Sequence, residues 1–337
     1  MDGNILAIVP CLNEARHLPR LLRQLASEPL CSRIVVADGG STDGSREIVQ
    51  AMRHLFPKID LMDNPKLIQS AGVNLAVEKF GANYAFFVRL DAHCRYPHGY
   101  IRTLVESAKA TKSDSVVVPM LTSGTQGFSK AAAAAQNSRL GNGGAAHRNL
   151  GEGGFVDHGH HALMRIAAFE KVGGYDENMP CNEDAELDMR LASIDAAIWL
   201  EPKAAIIYFP RESPIALWRQ YFRYGRGRAQ TAIRHRSPLR IRQLVPLMVP
   251  PAILLALLSP LGWICLALPA LGWTSICQLW ALNLAARRRD LMMAFSGAAA
   301  MIMHTAWSFG FIWEWLANSM SKRSQTSTGM PSEQKSF

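Results

Sequence analysis

Charged side chains are missing from two long stretches in the carboxyl-terminal part of the 337-residue chain. Residues 243–286 contain no Asp, Glu, Lys or Arg, and residues 291–313 again contain none. Residues 1–242, by contrast, have the composition of an ordinary soluble domain. Because a bilayer crossing needs about 20 consecutive apolar residues, these uncharged runs indicate membrane helices. The sequence therefore predicts a soluble unit joined to a membrane unit.

Acidic residues are absent from residues 215–242, although this segment is rich in arginine and aromatic residues. Arg287, Arg288 and Arg289 separate the two uncharged runs, and the formal net charge of the chain is +9. Arginine clusters beside apolar spans mark the cytoplasmic side of membrane proteins and attract lipid phosphates. No nucleic-acid-binding motif accompanies them, so we expect a membrane partner and no nucleic acid.

Two further absences concern the cellular compartment. The six cysteines form no C-x-x-C pair, which indicates free thiols in a reducing environment. The first residues lack the basic region of a signal peptide. Two crossings within residues 244–286 would keep the arginine clusters inside. A third crossing at 291–315 would place Lys322 and Arg323 outside, and a re-entrant or interfacial element is the alternative. The expected location is a multi-pass protein of the inner membrane, with its soluble unit facing the cytoplasm.

Short β-rich runs alternate with helical patterns over residues 4–90, as is typical of parallel β-α-β units. In such folds ligands gather where the strands end. The first turn lacks G-x-G-x-x-G, which argues against a nicotinamide enzyme. Strands are predicted at 4–9, 34–37, 59–62, 84–90 and 155–165, helices at 18–25, 45–55, 68–80, 130–136 and 182–193, and a mobile glycine-rich loop at 140–154.

Five short motifs occur in a fixed order along the chain: residues 8–14 (IVPCLNE), 35–44 (VVADGGSTDG), 89–93 (RLDAH), 183–184 (ED) and 220–224 (QYFRY). In this order they resemble the motifs of glycosyltransferase family 2, whose members have the GT-A fold. The chain departs from the family pattern at Gly39, where a second aspartate is usual, and at Tyr224, where tryptophan is usual. The D-A-H variant and the apolar carboxyl-terminal part most resemble the glucosyltransferases of exopolysaccharide assembly.

The resemblance implies an α/β fold class, with a GT-A nucleotide-diphospho-sugar transferase domain at 1–214 built on a mostly parallel central sheet. A basic aromatic interfacial helix region would follow at 215–242, then membrane helices at 243–318 and a disordered tail at 319–337. 

The resemblance also implies how the donor nucleotide is held. Asp38 would accept the N3–H of a uracil ring, beside Pro10, Asn13 and Glu14. Arg223 would pair with the diphosphate, a task that suits a planar fork of donors. For Asp38 the alternative is a plain turn residue chosen for its backbone preference.

A metal site is expected at Asp91 and His93, because side chains two apart on an extended segment point the same way. An oxygen and an imidazole ligand favour Mn²⁺, and Mg²⁺ with retained waters is the alternative. If no metal binds, Asp91 caps the next segment and His93 is a surface residue.

Acid–base chemistry is assigned to the E-D motif. Asp184 would be the general base that takes the proton of the acceptor hydroxyl, and Glu183 would orient the acceptor. The alternative is that both acids only complement the dipole of the helix that they begin. Four further residues are expected to contact the acceptor, and for the two histidines among them a zinc site is the alternative. They are His160, His161, Gln220 and Tyr224.

The expected activity is an inverting, metal-dependent transfer of a hexose onto a polyprenyl-diphosphate-linked saccharide. The resemblance implies glucose from UDP-glucose, a β-linkage, and a place in assembly of a succinoglycan-like exopolysaccharide beside other assembly proteins. One alternative is a processive polysaccharide synthase. Another is a catalytically silent membrane protein that binds a sugar nucleotide and acts as an assembly partner.

Overall fold

The computed structural model describes residues 4–144, 150–179, 181–239, 241–258 and 262–327. The chain forms two compact units that divide between Arg211 and Glu212. Strands and helices alternate in the first unit, whereas the described part of the second unit is helical.

The first unit contains ten strands among the residues that the structure describes. They are β1 Ile5–Cys11, β2 Cys31–Asp38, β3 Ile59–Asp63, β4 Phe86–Arg89, β5 Ser115–Val118, β6 Met120–Thr122, β7 Gly154–Phe155, β8 His160–Arg165, β9 Ile198–Leu200 and β10 Ile206–Tyr208. Its helices are α1 Leu18–Ala26, α2 Ser45–Leu55, α3 Gln69–Phe80, α4 Tyr100–Thr111, α5 Gly127–Asn137, α6 Arg139–Asn142, α7 Ile166–Lys171 and α8 Glu183–Ala192.

Eight of these strands form the central sheet, in the order β3-β2-β1-β4-β8-β5-β9-β7. The pairs β1–β2, β1–β4, β2–β3 and β5–β9 are parallel, and β8 runs antiparallel to β4 and β5. This confirms the predicted α/β fold with a mostly parallel central sheet. Because β1, β2 and β4 run the same way, their carboxyl ends share one edge of the sheet.

Helices cover both faces of the sheet because their apolar residues recur at helical spacing. On α1, Leu18, Leu21, Leu22 and Leu25 are buried in one core cluster. On the opposite face, Val73 of α3 joins a second cluster with residues of α8. Burying one leucine side chain stabilises the fold by about 1.5–3 kcal/mol. The packed helices therefore hold the sheet in place, together with the edge that carries the candidate site.

The segment predicted as one strand at 155–165 is two strands, β7 and β8, and β8 is irregular. Val116 pairs with Leu163 and Val117 pairs with His161, so Ala162 is an extra residue in β8. Such a bulge changes the direction of the neighbouring side chains and is common beside active sites. Of the predicted mobile loop, residues 145–149 lie outside the described residues, and Arg139–Asn142 forms the short helix α6.

The second unit consists of α9 Pro214–His235, α10 Ile241–Leu247, α11 Val249–Leu258, α12 Gly262–Arg288 and α13 Ser296–Ser327. Helices α9 and α13 pack closely at Gly225. A Cβ added to Gly225 would collide with the carbonyl oxygen of Trp307 on the facing helix. An ion pair of 2.7 Å between Arg226 Nε and Glu314 Oε2 joins the same two helices.

One expectation for this unit differs from the structure. Helix α13 continues past Ser319 to Ser327, into the segment predicted as a disordered tail, and residues 328–337 lie outside the described residues. None of the described helices combines the length and the apolar composition that a membrane crossing requires.

Candidate active site

The candidate site lies where β1, β2 and β4 end. Cys11 of β1 is paired with Asp38 of β2, and Ile8 of β1 is paired with Arg89, the last residue of β4. Asp91 and His93 follow directly after β4. The parallel register therefore brings three sequence-distant turns to one edge, as the alternating pattern predicts.

Asp38 is 1% exposed. Only one of its two carboxylate oxygens, Oδ2, accepts hydrogen bonds from the described residues. Its Oδ2 accepts hydrogen bonds from Gly40 N at 3.0 Å, Ser41 N at 3.1 Å and Arg46 Nη1 at 2.7 Å. Burial raises the pKa of Asp38, but the bonds from Ser41 and Arg46 outweigh it and hold the pKa below its ordinary value. Oδ1 is buried and has no hydrogen-bond partner among the described residues, which leaves a charged acceptor for a ligand donor.

The turn after β1 is clamped onto the turn after β2. Asn13, whose φ is 57°, donates from its backbone to Ser41 Oγ at 2.8 Å, and its Oδ1 accepts from Thr42 N at 2.9 Å. Glu14 N donates to Ser45 Oγ at 2.9 Å. Pro10, next to the end of β1, is paired with Ala37. The predicted donor residues of these two turns thus share one rigid corner.

Asp91, His93 and Cys94 are the only group of three metal-ligating residues within the described part of the chain, and their ligand atoms lie within 4.8 Å of one another. His93 Nδ1 lies 2.8 Å from Glu14 Oε1, which leaves Nε2 as the coordinating nitrogen. The hydrogen bond with Glu14, aided by the charge of Asp91, raises the pKa of His93. Burial raises the pKa of the Cys94 thiol far above neutrality in the absence of an ion. Asp91 and His93 therefore fit a divalent ion.

Glu183 and Asp184 begin α8, and Asp184 is anchored from two sides. Arg89 Nη1 donates to Asp184 Oδ1 at 2.8 Å and Nη2 donates to Oδ2 at 2.9 Å. The hydroxyl of Tyr175 donates to Oδ1 at 2.9 Å. Such a bidentate arginine–carboxylate pair fixes the carboxylate plane as well as its charge.

The two acids of α8 have opposite protonation behaviour. Burial raises the pKa of Asp184, but the Arg89 guanidinium and the nearby His160 ring outweigh burial and hold the pKa well below its usual range. Burial and the nearby charge of Asp184 raise the pKa of Glu183, with Arg89 opposing them. Asp184 is therefore the ionised partner of the pair.

The two adjacent histidines of β8 have different surroundings. His160 lies between the two acidic centres, with Nδ1 at 3.5 Å from Asp184 Oδ2 and Nε2 at 3.8 Å from Asp91 Oδ2. His161 is 2% exposed, and its ring contacts Asp188 at 2.7 Å and Ser115 Oγ at 2.7 Å. His161 therefore has no exposed surface with which to contact an acceptor, contrary to the expectation. It anchors β8 to α8 instead.

Gln220, Arg223 and Tyr224 all lie on α9 of the second unit. Gln220 Nε2 donates to the Tyr224 hydroxyl at 2.8 Å, and Arg223 is exposed. Their expected contacts with donor and acceptor remain predictions.

Sequence reasoning missed Arg89 and Tyr175 as site residues. Arg89 is the one charged residue in the apolar run 84–90, and a buried charge is a signal that a partner exists elsewhere in the fold. Its partner, Asp184, is 95 positions away in the chain, so the sequence alone does not identify it.

Comparison with known proteins gives the family. A profile of glycosyl transferase family 2 matches residues 6–173. The succinoglycan biosynthesis protein ExoA of Rhizobium meliloti (strain 1021) is 47% identical over 308 residues, which cover 91% of this chain and 93% of that protein.

Two solved structures share the fold. The mannosyltransferase PcManGT from Pyrobaculum calidifontis, in complex with GDP-Man and Mn²⁺, aligns with a TM-score of 0.58 and 17% identity, over 90% of this chain and 87% of that one. S. aureus TarS aligns with a TM-score of 0.50 and 15% identity, over 90% of this chain and 55% of that one. The chain is a glycosyltransferase that belongs to glycosyl transferase family 2.

Proposed function

We propose that this chain transfers one glucose residue from UDP-glucose, with inversion, onto a polyprenyl-diphosphate-linked saccharide in succinoglycan-like exopolysaccharide assembly. The observation that carries the proposal is that Asp91 and Asp184 both face His160, while Asp38 ends β2 at the same edge of the sheet. The relative that is 47% identical carries succinoglycan biosynthesis in its name, which supports the pathway.

The donor nucleotide binds at the corner formed by the turns after β1 and β2. The buried, unpartnered Oδ1 of Asp38 accepts the N3–H of uracil, and Pro10, Asn13 and Glu14 line the base and ribose. A buried carboxylate oxygen such as Asp38 Oδ1 is strongly stabilised when a ligand donates a hydrogen bond to it. This matches a uracil ring, whose N3 carries a hydrogen, better than a cytosine ring, whose N3 does not.

The leaving diphosphate lies beside Asp91 and His93. A divalent ion held there, Mn²⁺ or Mg²⁺, supplies charge stabilisation for the departing nucleotide. Glu14 orients the His93 ring, and Gln69 Nε2 donates to Asp91 Oδ1 at 3.3 Å. PcManGT, which shares the fold, was solved with a nucleotide sugar and Mn²⁺.

The acceptor hydroxyl reacts on the side of Asp184. Its oxygen forms a bond to the anomeric carbon while the bond from that carbon to the diphosphate oxygen breaks, so UDP leaves with the bonding electrons. The hydroxyl proton becomes acidic as the new bond forms and passes to the Asp184 carboxylate. Glu183, on the same helix turn, orients the acceptor.

The second unit supplies the lipid contact. Exposed apolar side chains recur along α12, and the exposed arginines 287–289 follow directly at its end. Apolar surface beside a basic cluster favours a membrane with anionic head groups. Those apolar side chains include Leu268, Leu271, Ile276, Leu279 and Leu282. We place the protein at the cytoplasmic face of the inner membrane.

A transfer assay tests the proposal. The full chain in membranes is incubated with radiolabelled UDP-glucose, Mn²⁺ and extracted lipid-linked saccharides, with UDP-galactose, GDP-mannose and UDP-N-acetylglucosamine as competing donors. We expect one glucose per acceptor, and no product with EDTA or with the Asp91→Asn variant. A long polymer would identify a processive synthase. Nucleotide binding without transfer to any acceptor would identify a silent binding partner.

A further inference from the structure

Arg89 is a buried cation that none of the donor, metal or acceptor assignments uses. Its side chain is 3% exposed and lies inside the first unit, between β4 and α8. Its two terminal nitrogens reach both oxygens of Asp184, and Nη1 also lies 2.8 Å from the Tyr175 hydroxyl. Burying an ion pair brings little net stability compared with apolar residues of the same size. Its presence beside the proposed base therefore suggests a function other than stability.

The contacts of Asp184 distinguish its two oxygens. Oδ1 accepts from both Arg89 Nη1 and the Tyr175 hydroxyl, which uses both of its lone pairs. Oδ2 accepts from Arg89 Nη2 and faces His160 Nδ1 at 3.5 Å, which is longer than an ordinary N–H···O bond. Oδ2 is therefore the oxygen that is better able to accept a proton.

His160 links this carboxylate to the metal side of the site. Its Nδ1 lies 3.2 Å from Arg89 Nη2, while its Nε2 lies 3.8 Å from Asp91 Oδ2. Arg89 and Asp91 are separated by one residue at the end of β4. The same short segment thus carries a residue that holds Asp184 and the carboxylate that faces the donor.

We propose, on the basis of the transferase activity proposed above, that Arg89 is a positioning residue that orients Asp184 so that Oδ2 receives the proton of the acceptor hydroxyl. Arg89 acts through Asp184 and does not touch the substrate. Together with His160 it fixes the base relative to Asp91, and so relative to the anomeric carbon of the bound donor. A displacement of about 1 Å between such groups costs about 10²-fold in rate.

Without Arg89 the buried Asp184 would lose the cation that keeps it ionised, and burial would favour its protonated form. The groups that face Asp184 come from four elements, and the remaining ones do not replace that charge. They are Arg89 of β4, His160 and His161 of β8, Tyr175 of the segment after α7, and Glu183 of α8 itself.

The test compares Arg89→Met and Arg89→Lys with Arg165→Met. Arg165 is a matched control, because it ends β8 and pairs with Asp114 at 3.0 Å outside the site. We expect kcat to fall about 10²-fold in Arg89→Met and less in Arg89→Lys, while the affinity for UDP with Mn²⁺ is unchanged. The acid limb of the kcat–pH profile should move to higher pH only in the Arg89 variants. A lower kcat with an unmoved acid limb would overturn the proposal.

Tyr175→Phe covers the case in which Arg89 variants fold poorly, since it keeps the arginine and removes one donor to Oδ1. We expect a smaller shift of the acid limb in the same direction, and an unmoved limb would contradict the proposal. A stability measurement separates this inference from the proposed activity. In the wild type Arg89 holds the pKa of Asp184 well below its usual range, so the carboxylate stays ionised and paired at both about pH 8 and about pH 5. In Arg89→Met burial raises the pKa of Asp184, and the variant loses stability as the pH rises because the unpaired carboxyl must ionise.

The difference in Tm between the wild type and Arg89→Met should therefore be larger at about pH 8 than at about pH 5. A Tm difference that does not change with pH would show that Arg89 does not set the charge of Asp184, whatever the reaction. A wild-type chain that transfers no sugar would overturn the proposed function, and the Tm comparison would still decide the Arg89–Asp184 relationship.

Discussion

His93 Nδ1 lies 2.8 Å from Glu14 Oε1, so the turn after β1 orients the imidazole that follows β4. This contact joins the predicted uridine corner to the predicted metal position. It also fixes which ring nitrogen of His93 is available to an ion, because the other one is already engaged.

Glu14→Gln should weaken Mn²⁺ binding about 10- to 100-fold, as is typical when the partner of a metal-binding histidine is altered. The amide keeps the shape but loses the charge that orients the ring. Mn²⁺ titration followed by electron paramagnetic resonance measures the effect, and Glu106→Gln, an exposed glutamate of α4, is the control. Equal affinity in both variants would show that Glu14 does not support a metal site.

Mn²⁺ binding should also weaken as the pH falls. The hydrogen bond with Glu14 raises the pKa of His93, so the ring takes up a proton at a higher pH than an ordinary histidine. A metal ion binds only the neutral His93 ring, so protonation of the ring competes with Mn²⁺. The fold itself behaves in the opposite way: the Glu14–His93 pair stabilises it while His93 is protonated, and this contribution is lost as the pH rises through the raised pKa of His93. Titrations from about pH 8 to about pH 5.5 should show the midpoint of Mn²⁺ binding at lower pH in Glu14→Gln, because the variant lacks the charged hydrogen-bond partner that raises the pKa of His93. The same midpoint in both proteins would refute the prediction.

Asp38→Asn should invert the preference between uracil and cytosine nucleotides. The three donors at Oδ2 require an oxygen there, so the amide nitrogen of the variant takes the position of Oδ1. An NH₂ group at that position opposes the N3–H of uracil and matches the N3 acceptor of cytosine. We expect UDP affinity to fall about 10- to 100-fold and CDP affinity to rise, measured by calorimetry.

Arg46→Met is the control for this experiment, because it removes one donor to Oδ2 and leaves the carboxylate in place. This variant should lower the affinity for UDP without raising the affinity for CDP. If Asp38→Asn lowers the affinities for UDP and CDP equally, Asp38 is only a turn residue.

Asp184→Asn should lower kcat about 10²- to 10⁴-fold, the usual contribution of a general base, while UDP binding is retained. Glu183→Gln should mainly raise the KM for the acceptor, because Glu183 is assigned to acceptor orientation. Steady-state kinetics with lipid-linked acceptor separates the two effects. Full activity of Asp184→Asn would remove the base assignment, and a large fall in kcat for Glu183→Gln would transfer it to Glu183.

Gly225→Ala should destabilise the second unit, because the new Cβ would collide with the carbonyl oxygen of Trp307 and push α9 and α13 apart. The expected loss is about 1–3 kcal/mol. Gly272→Ala is the matched control on α12, where no atom lies within 4 Å of the new Cβ, and there alanine should gain about 1 kcal/mol of helix propensity. Thermal unfolding in detergent measures both, and equal effects would contradict the close α9–α13 contact.

The site residues that follow strands were predictable from the sequence, because the relevant physics is local. Asp38 and Asp91 each follow an apolar run, and parallel strands place such residues at one edge. In the turn that follows Asp38, Asp43 accepts a hydrogen bond from Ser45 N at 3.0 Å, a local contact that is typical of aspartate in turns.

The environment of the histidines was not predictable. His160 and His161 are neighbours in the sequence, and which of them faces the acids depends on the extra residue Ala162 in β8. A bulge is set by the partner strand β5, which the sequence reading did not identify. The Arg89–Asp184 pair was missed for the same reason, since only the packed sheet brings the two residues together.

The second unit shows a different limit. The polar composition after Ser319 predicts disorder, whereas α13 continues to Ser327. A helix that is already packed propagates at little cost, because only its first turn is unfavourable to form.

A single-turnover reaction with UDP-[¹³C]glucose, Mn²⁺ and the lipid-linked acceptor tests the central claim most directly. The account predicts a β-linked product with one glucose per acceptor, equimolar release of UDP, and loss of this product in Asp91→Asn and Asp184→Asn. An α-linked product, or equal yields from the wild type and both variants, would contradict it.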